Sequence, residues 1–275
     1  MSGKLYVVGT PIGNLSDFSP RAAETLEAVD FIAAEDTRVT MKLLNHFDIH
    51  KPLVSYYEHN KTQAGPAIID RILSGSSCAI CTDAGMPAIS DPGQDLVDLA
   101  HKSGIEVVSV PGPTAFATAL ALSGMDSRRF LFEGFLTVDK KQRRKQLEFL
   151  SSVPCTLILY EAPHKLTSTL NDLYKALGDR QLAIVRELTK IHEEVIRTTL
   201  KDAVEAYPSN NLKGELVLVI EGAGEVSNEM SLDDAIAMAK ELTDAGMSKS
   251  EAAKMAARKA GSGIHKGDIY KALQN

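Results

Sequence analysis

No stretch of this sequence approaches the roughly 18 consecutive apolar residues that a membrane-spanning helix needs, so a helical membrane span is excluded. The opening residues, MSGKLYVVGTPIGN, run straight into a strand-like segment and a glycine turn. They lack a separate apolar core and a small-residue cleavage site, so no signal peptide is expected. Cysteine is scarce as well. Cys78, Cys81 and Cys155 are too few, and odd in number, for a disulfide framework, which points to a reducing cytoplasm. Cys78 and Cys81 form a CxxC, but CAIC has the pattern of a buried strand and no second Cys/His pair stands at zinc spacing. Two small core residues are the simpler reading. The seven histidines are scattered and no HExxH occurs, so no metal site is expected. Two nucleotide fingerprints are missing too. GTPIGN has proline where GxGxxG requires its second glycine, and GxxxxGK[ST] occurs nowhere.

What is present is an ordinary globular composition, 44% hydrophobic and 24% charged over 275 residues. That length suggests two domains rather than one. Strand and helix signals alternate through the first half: KLYVVG, SPRAAETLEAV, DFIAAED, TRVTMKLLNHF, GPAIIDRILSG, SCAIC, GQDLVDLAHKSG, IEVVSV. Ser19 is placed as an N-cap with Pro20 at the first helical position. Gly75 and Gly104 close the third and fourth helices. A βαβα order of this kind predicts a mostly parallel sheet covered by helices. After PGPTAFATALALSG, new strands follow: RFLFEGFL, CTLILYEA, QLAIVREL, EEVIRTTL and GELVLVIEG, with helices KKQRRKQLEFLSS and HKLTSTLNDLYKALG between the earlier ones. The short polar break within residues 182–200 suggests a hairpin and a mixed sheet. Boundaries are expected near residues 125 and 225, giving an α/β domain over 1–125, a second over 126–224 and a helical region over 225–275. The last is too small for much of a core. Breaks at Gly246 and Gly261 divide it into three helical stretches, resembling a helix-turn-helix appendage.

The chemistry-bearing feature is a set of three Gly/Pro loops, each behind a strand: 9–14 (GTPIGN), 82–93 (TDAGMPAISDPG) and 111–115 (PGPTA). In a parallel sheet such loops gather on one edge, where α/β folds bind ligands. Glycine lets backbone amides approach a ligand and proline fixes the loop beforehand. Without a pyrophosphate fingerprint, S-adenosylmethionine fits better than a dinucleotide. Asp83 is read as facing that ligand, although Asp before Ala-Gly often only closes an Asx-turn. Asp91 is read as a turn initiator that shapes the loop. Polar groups at strand ends, AEDTR, YEHN and RELTK, supply further candidates, with salt bridges and helix caps as the plain alternative.

Charge is uneven. Residues 246–275 carry six cations against Glu251 and Asp268, a net of +4, which leaves −10 for residues 1–245. DKKQRRK, residues 139–145, holds five cations and one anion. Such runs are usually solvated faces, yet two basic patches on an acidic body also suit a localised RNA-binding surface.

Eight blocks together resemble one family: LYVVGTPIGNLSDFSPRA, VDFIAAEDTR, YEHN, TDAGMPAISDPG, VPGPTAFATAL, RRFLFEGFL, YEAPHKL and RELTKIHEE. In this order, spread between residue 5 and about 222, they are similar to the bacterial RsmI family, ribosomal RNA small-subunit methyltransferases of the tetrapyrrole methylase superfamily. The resemblance implies two α/β domains with S-adenosylmethionine in the cleft between them, a homodimer, and 2′-O-methylation of a cytidine ribose in the decoding region of 16S rRNA. It also implies that the basic C-terminal region helps to hold RNA. Cofactor contacts carried over by position fall on Pro11, Ile12, Asp83, Met86, Ser90, Thr114, Ala115, Tyr160, Arg186 and Leu216. Two departures stand out, Lys165 where the family has arginine and Thr82 where serine is common. Methyl transfer from a sulfonium is an in-line displacement governed by positioning. A ribose hydroxyl needs help to lose its proton, for which Glu187 is the candidate base, Lys190 its neighbouring cation and Arg38 a phosphate contact. Methylation of a tetrapyrrole or another small molecule, and a non-catalytic ribosome-assembly role, are the alternatives.

Overall fold

The computed structural model describes residues 3–209, 212, 214–224, 230–260 and 263–274. The break expected at Gly261 and the boundary expected near residue 225 lie outside the described residues. The chain divides into two compact units, Met1–Gly222 and Ala223–Asn275.

The first unit opens with β1 (Lys4–Val8), α1 (Pro20–Ala28), β2 (Phe31–Ala34), α2 (Thr37–His46), β3 (Leu53–Ser55), α3 (Lys61–Leu73), β4 (Cys78–Cys81), α4 (Gly93–Lys102) and β5 (Glu106–Val110). Their strands form a five-stranded sheet in the order β3-β2-β4-β1-β5, parallel throughout. Local signals act as expected: the Ser19 hydroxyl accepts from the Ala22 N–H with Pro20 at the first helical position. Alternation along β4 explains the CxxC. Cys78 and Ile80 face the α3 and α4 side, Ala79 and Cys81 the α1 and α2 side. The two thiols therefore point to opposite faces. Burial pushes the Cys78 thiol up to about 12 and raises Cys81 as well. Among the described residues no cluster of His, Cys, Asp and Glu has metal-site geometry.

From β5 the chain passes through α5 (Ala115–Ser123) to β6 (Phe130–Phe135), α6 (Lys140–Ser152), β7 (Thr156–Glu161), α7 (Leu166–Leu177), β8 (Gln181–Arg186), β9 (Glu194–Thr199), α8 (Leu200–Ala206) and β10 (Leu216–Ile220). The second sheet is mixed, as anticipated, with the order β6-β7-β10-β8-β9. β6 and β7 are parallel, while β7, β10, β8 and β9 pair antiparallel in turn. One face packs on α6, α7 and α8 through residues such as Leu150, Leu170 and Leu200. The other face packs on α5, with Ala119 and Leu120 against Ile158, Val185 and Val217. Ile12 from the loop after β1 joins that second cluster. The loop edge of the first sheet is thus fastened to the second sheet.

The second unit contains α9 (Leu232–Asp244), α10 (Lys249–Ala260) and α11 (Lys266–Ala272). Its core is an alanine-rich seam, Ala235, Ala239, Ala252, Ala253, Ala256 and Ala260, closed by Ile269 and Leu273. Among the described residues no helix is long and apolar enough to cross a membrane.

Candidate active site

β4, β1 and β5 lie side by side, so the three Gly/Pro loops leave the same edge of one sheet. Much of their glycine content serves contact between the loops themselves. A Cβ on Gly9 would stand 2.7 Å from the Gly112 Cα, and one on Gly112 would stand 2.9 Å from Gly9. Gly9 N–H donates to the Val110 carbonyl at 3.0 Å, and Thr10 and Gly85 exchange backbone hydrogen bonds of 2.9 and 3.1 Å. The buried Thr10 hydroxyl lies 3.3 Å from the carbonyls of Thr82 and Gly85. These contacts join the three loops to one another without a ligand.

Loop 82–93 carries backbone strain. Ala88 and Ser90 have φ of +68° and +64°, unfavourable for residues with a Cβ. The Asp91 carboxylate offsets it by accepting from the N–H groups of Ala88 (3.0 Å), Ile89 (3.2 Å) and Gly93 (2.8 Å). Asp91 is the loop organiser it was expected to be. Asp83 makes a different contact from the Asx-turn considered for it. Its Oδ1 accepts from the Asp36 N–H at 3.0 Å, tying the loop after β4 to the one after β2. Burial raises the Asp83 carboxyl, with the Asp36 N–H opposing and the Glu35 and Asp36 charges adding to the rise.

A cavity of about 160 Å3 opens on this edge, lined among others by Ile12, Met86, Ser90, Thr114, Ala115 and Tyr160. Each of these six was a cofactor candidate from the sequence. The lining adds Glu35, Thr82, Ala84, Gly85, Ile89 and Phe135, and also Asp91. The Thr82 hydroxyl donates to Glu35 at 2.6 Å. Phe135 arrives through a bulge in β6 between Phe132 and Gly134, where a Cβ on Gly134 would meet the Ser90 hydroxyl at 2.8 Å. The Gly-Phe pair at the end of RFLFEGFL was the signal for it. Tyr160 accepts from the Phe116 N–H at 3.2 Å, joining β7 to the first turn of α5.

Four candidates stand elsewhere. Pro11 and Asp83 flank the lining without belonging to it. Leu216 points into the core shared with α6, α7 and α8, while its neighbour Val217 packs with Ile12 and Tyr160 on the α5 side. Arg186 pairs with Glu194 across the β8–β9 hairpin at 2.6 Å. Two polar residues of YEHN are used structurally: Glu58, together with Asp95, holds Lys61 at 2.8 and 2.7 Å, and the Asn60 side chain braces Tyr57 and Ser55.

The proposed catalytic group falls in two places. Glu187 and Lys190 are together, 3.0 Å apart, in a strained turn with φ of +51° at Glu187 and +65° at Thr189. The Lys190 stem lies against the first loop, since a Cβ on Gly13 would meet its Cγ at 2.6 Å. Glu187 also accepts from the Glu215 N–H at 3.2 Å. The hydrogen bond from Lys190 holds the Glu187 carboxyl below its usual range. Burial works against the Lys190 ammonium, but its bonds to Glu187 and Glu215 outweigh that and raise it. Glu187 is therefore a weaker proton acceptor than a free glutamate, and Lys190 a firmly protonated cation. Arg38 is highly exposed and bonded to Asp36 at 2.6 Å. That guanidinium holds the Asp36 carboxyl at about 2.

The lining chemistry selects among ligands. Among the described residues it contains two carboxylates, three hydroxyl-bearing aliphatic side chains, apolar groups and backbone, but neither lysine nor arginine. A pyrophosphate would meet Glu35 and Asp91 without a counter-charge. A ligand with a sulfonium and an ammonium group suits such a lining, as does an aromatic base beside Phe135 and Met86. S-adenosylmethionine has this combination. At about 160 Å3 the cavity is smaller than the roughly 300–1,000 Å3 of pockets that enclose drug-sized ligands. It would take one end of such a molecule, with the rest along the loop edge.

Residues 4–204 match the family of tetrapyrrole (corrin/porphyrin) methylases. Among curated proteins, "Ribosomal RNA small subunit methyltransferase I" of Halalkalibacterium halodurans is 53% identical over 223 residues, 81% of this chain and 77% of that protein. The protein of the same name from Bacillus subtilis is 44% identical over 274 residues, 98% of this chain and 94% of that one. Among solved structures, uroporphyrin-III C-methyltransferase from Thermus thermophilus, complexed with S-adenyl homocysteine, has a TM-score of 0.55 at 18% identity. That alignment covers 82% of this chain and 98% of the other, and bears on the fold.

Proposed function

Because the chain belongs to the tetrapyrrole methylase family, and within it to the ribosomal RNA small subunit methyltransferase I family, we propose that it methylates small-subunit ribosomal RNA with S-adenosylmethionine as donor. The observation that carries this reading is the near full-length match to relatives of that name. The cation-free, carboxylate-bearing cavity supports the donor. On the finer point, the reading is 2′-O-methylation of a cytidine ribose in the decoding region of 16S rRNA, supported by the eight sequence blocks. Bound S-adenosylmethionine supplies an electrophilic methyl group on a sulfonium.

The chain's own residues account for the rest. Ile12, Met86 and Ala115 exclude water from the apolar end of the ligand, and Thr82, Ser90 and Thr114 offer hydroxyls to its polar end. Asp91 holds loop 82–93 in its strained form. Lys190, protonated and fixed against the first loop, stabilises the oxyanion that develops on a nearby ribose hydroxyl, whose proton passes to solvent water as the O–CH3 bond forms and the S–CH3 bond breaks. Glu187 then acts chiefly by positioning Lys190. Asp83 belongs to the binding edge through Asp36, and Pro11, Arg186 and Leu216 contribute through backbone placement.

The three-part division at residues 125 and 224 belongs to the same proposal, supported by one sheet over 4–110, another over 130–220 and helices from 232. So do a homodimer and a cytoplasmic location, supported by the resemblance and by the scarcity of cysteine. The test is the ribose methylation state of the decoding-region cytidine in cells lacking the protein. Loss of the methyl group, restored by the wild-type chain, is expected; full methylation in its absence would contradict the assignment.

A further inference from the structure

The basic run on α6 is divided by the fold into one inward and four outward cations. Arg143 turns in, bonding Asp172 at 2.7 Å and the Thr169 hydroxyl at 2.9 Å, beside Leu147 and Leu150. Lys140, Lys141, Arg144 and Lys145 are exposed, and none has a hydrogen-bond or ion-pair partner among the described residues. At 3.6 residues per turn these four span an arc of about 140° on the side away from the buried face. Only Glu148 carries negative charge along α6 itself.

The stripe is held in place at the site. β6 delivers Phe135 to the cavity lining, and α6 begins five residues later. The connection is fixed, because Gln146 accepts from the Thr137 N–H at 3.0 Å and Arg143 reaches the Thr137 carbonyl at 3.4 Å. Asp139 caps the helix, accepting from Gln142 N–H at 2.9 Å. Beside the stripe stand three exposed apolar side chains, Phe135 at 57%, Val138 at 77% and, on α6 itself, Phe149 at 56%. Unpaired cations next to an exposed aromatic ring at the mouth of a cavity form a surface suited to a polyanion carrying planar bases. An ordinary solvated helix face explains the charge but leaves the exposed Val138 without a role.

The geometry points to the outward face of α6, Lys140, Lys141, Arg144 and Lys145, as the surface that binds the phosphate backbone of the substrate RNA beside the catalytic cavity. This rests on the reading of the protein as an RNA methyltransferase. It assigns to α6, rather than to the C-terminal helices, the phosphates nearest the reacting nucleotide.

The test replaces all four cations with alanine in the full chain and measures binding to isolated small subunits across a salt series. A second variant, Lys254→Ala with Arg258→Ala and Lys259→Ala on α10, serves for comparison. The α6 variant should lose at least about tenfold in affinity. Its dependence of log affinity on log salt should flatten by roughly 3, at about 0.7–0.9 for each phosphate no longer neutralised. Its affinity for S-adenosylmethionine should stay at the wild-type value, which also reports that it folds. An unchanged RNA affinity and salt slope would overturn the proposal, as would a loss confined to the α10 variant. Lysine acetylation of the wild-type protein gives a second measurement independent of folding: RNA should protect Lys140, Lys141 and Lys145, and equal labelling with and without RNA would overturn it. Wild-type protein that binds the subunit tightly but transfers no methyl group would instead contradict the functional reading while leaving the stripe as an RNA surface.

Discussion

The two sheets of the first unit present their loops in opposite ways. The parallel sheet offers loops 9–14, 82–93 and 111–115, which are held by backbone hydrogen bonds, by the contact of Gly9 with Gly112 and, in loop 82–93, by the Asp91 carboxylate accepting from three backbone N–H groups. The mixed sheet offers the β8–β9 turn, held by side-chain charges: Glu187, Lys190, Glu193, Glu215 and the Arg186–Glu194 pair. The first set contains no lysine or arginine. The second carries a protonated lysine, Lys190, whose stem lies against the first loop. Under the proposed function the division of labour is that the first sheet holds the cofactor and Lys190 of the second faces the acceptor hydroxyl.

The comparison is broken most severely at Gly9. Gly9→Val places side-chain carbon inside the Gly112 backbone, and both loops must separate. A loss of about 3 kcal/mol in denaturant unfolding is expected, with cofactor binding abolished. Asp91→Ala comes next. Three N–H groups lose a charged acceptor and two positive-φ residues lose their support. Unfolding should show a loss of about 2 kcal/mol, and calorimetry a cofactor affinity at least tenfold weaker. Lys190→Met should separate the two sheets' roles, lowering kcat about a hundredfold or more with cofactor affinity nearly unchanged. Glu187→Gln is expected to cost less in kcat than Lys190→Met, because its carboxylate acts through the lysine. A larger loss from Glu187→Gln would favour Glu187 as the base.

The same pair fixes a pH dependence. Glu187 is lowered, so its stabilisation is complete above the ordinary glutamate range and lost as pH falls through its depressed folded value. Lys190 is raised, so its contribution is complete below 10.5 and lost as pH rises through its higher folded value. Between those limits the difference in stability between wild type and Lys190→Met should be flat. Tyr160→Phe gives the smallest effect, about 1 kcal/mol or less from one hydrogen bond to the Phe116 N–H.

The elements with strong punctuation were legible in the sequence. Ser19 and Pro20 opened α1 where their chemistry required, Gly104 closed α4 in the left-handed region, and the break within 182–200 became the β8–β9 hairpin. β3 escaped notice because three residues, Leu53–Ser55, are too few for an alternation to show. α8 was missed because β9 passes into it at Thr199 and Leu200 with no turn residue between. α3 begins at Lys61 rather than beside Gly65, and it accommodates Pro66 in its second turn.

The site was legible as loops and less so as side chains. Gly/Pro spacing located the cradle, but it could not show that Gly9 and Gly112 face each other rather than a ligand. Strand parity puts Leu216 and Val217 on opposite faces of β10, so a shift of one residue exchanges core and cavity sides. Phe135 depends on a bulge, which period-two alternation does not reveal. Asp83 and Asp36 meet only because β2 and β4 are neighbours, a fact of sheet order rather than of local sequence.

The most direct test of the cofactor assignment is a calorimetric titration of S-adenosylmethionine and, in parallel, of ATP into the wild-type protein and Asp91→Ala. A cradle with Glu35 and Asp91 and no lining cation should bind S-adenosylmethionine, bind ATP at least a hundredfold more weakly, and lose S-adenosylmethionine affinity in the variant. Comparable affinity for ATP, or S-adenosylmethionine binding unaffected by Asp91→Ala, would contradict it.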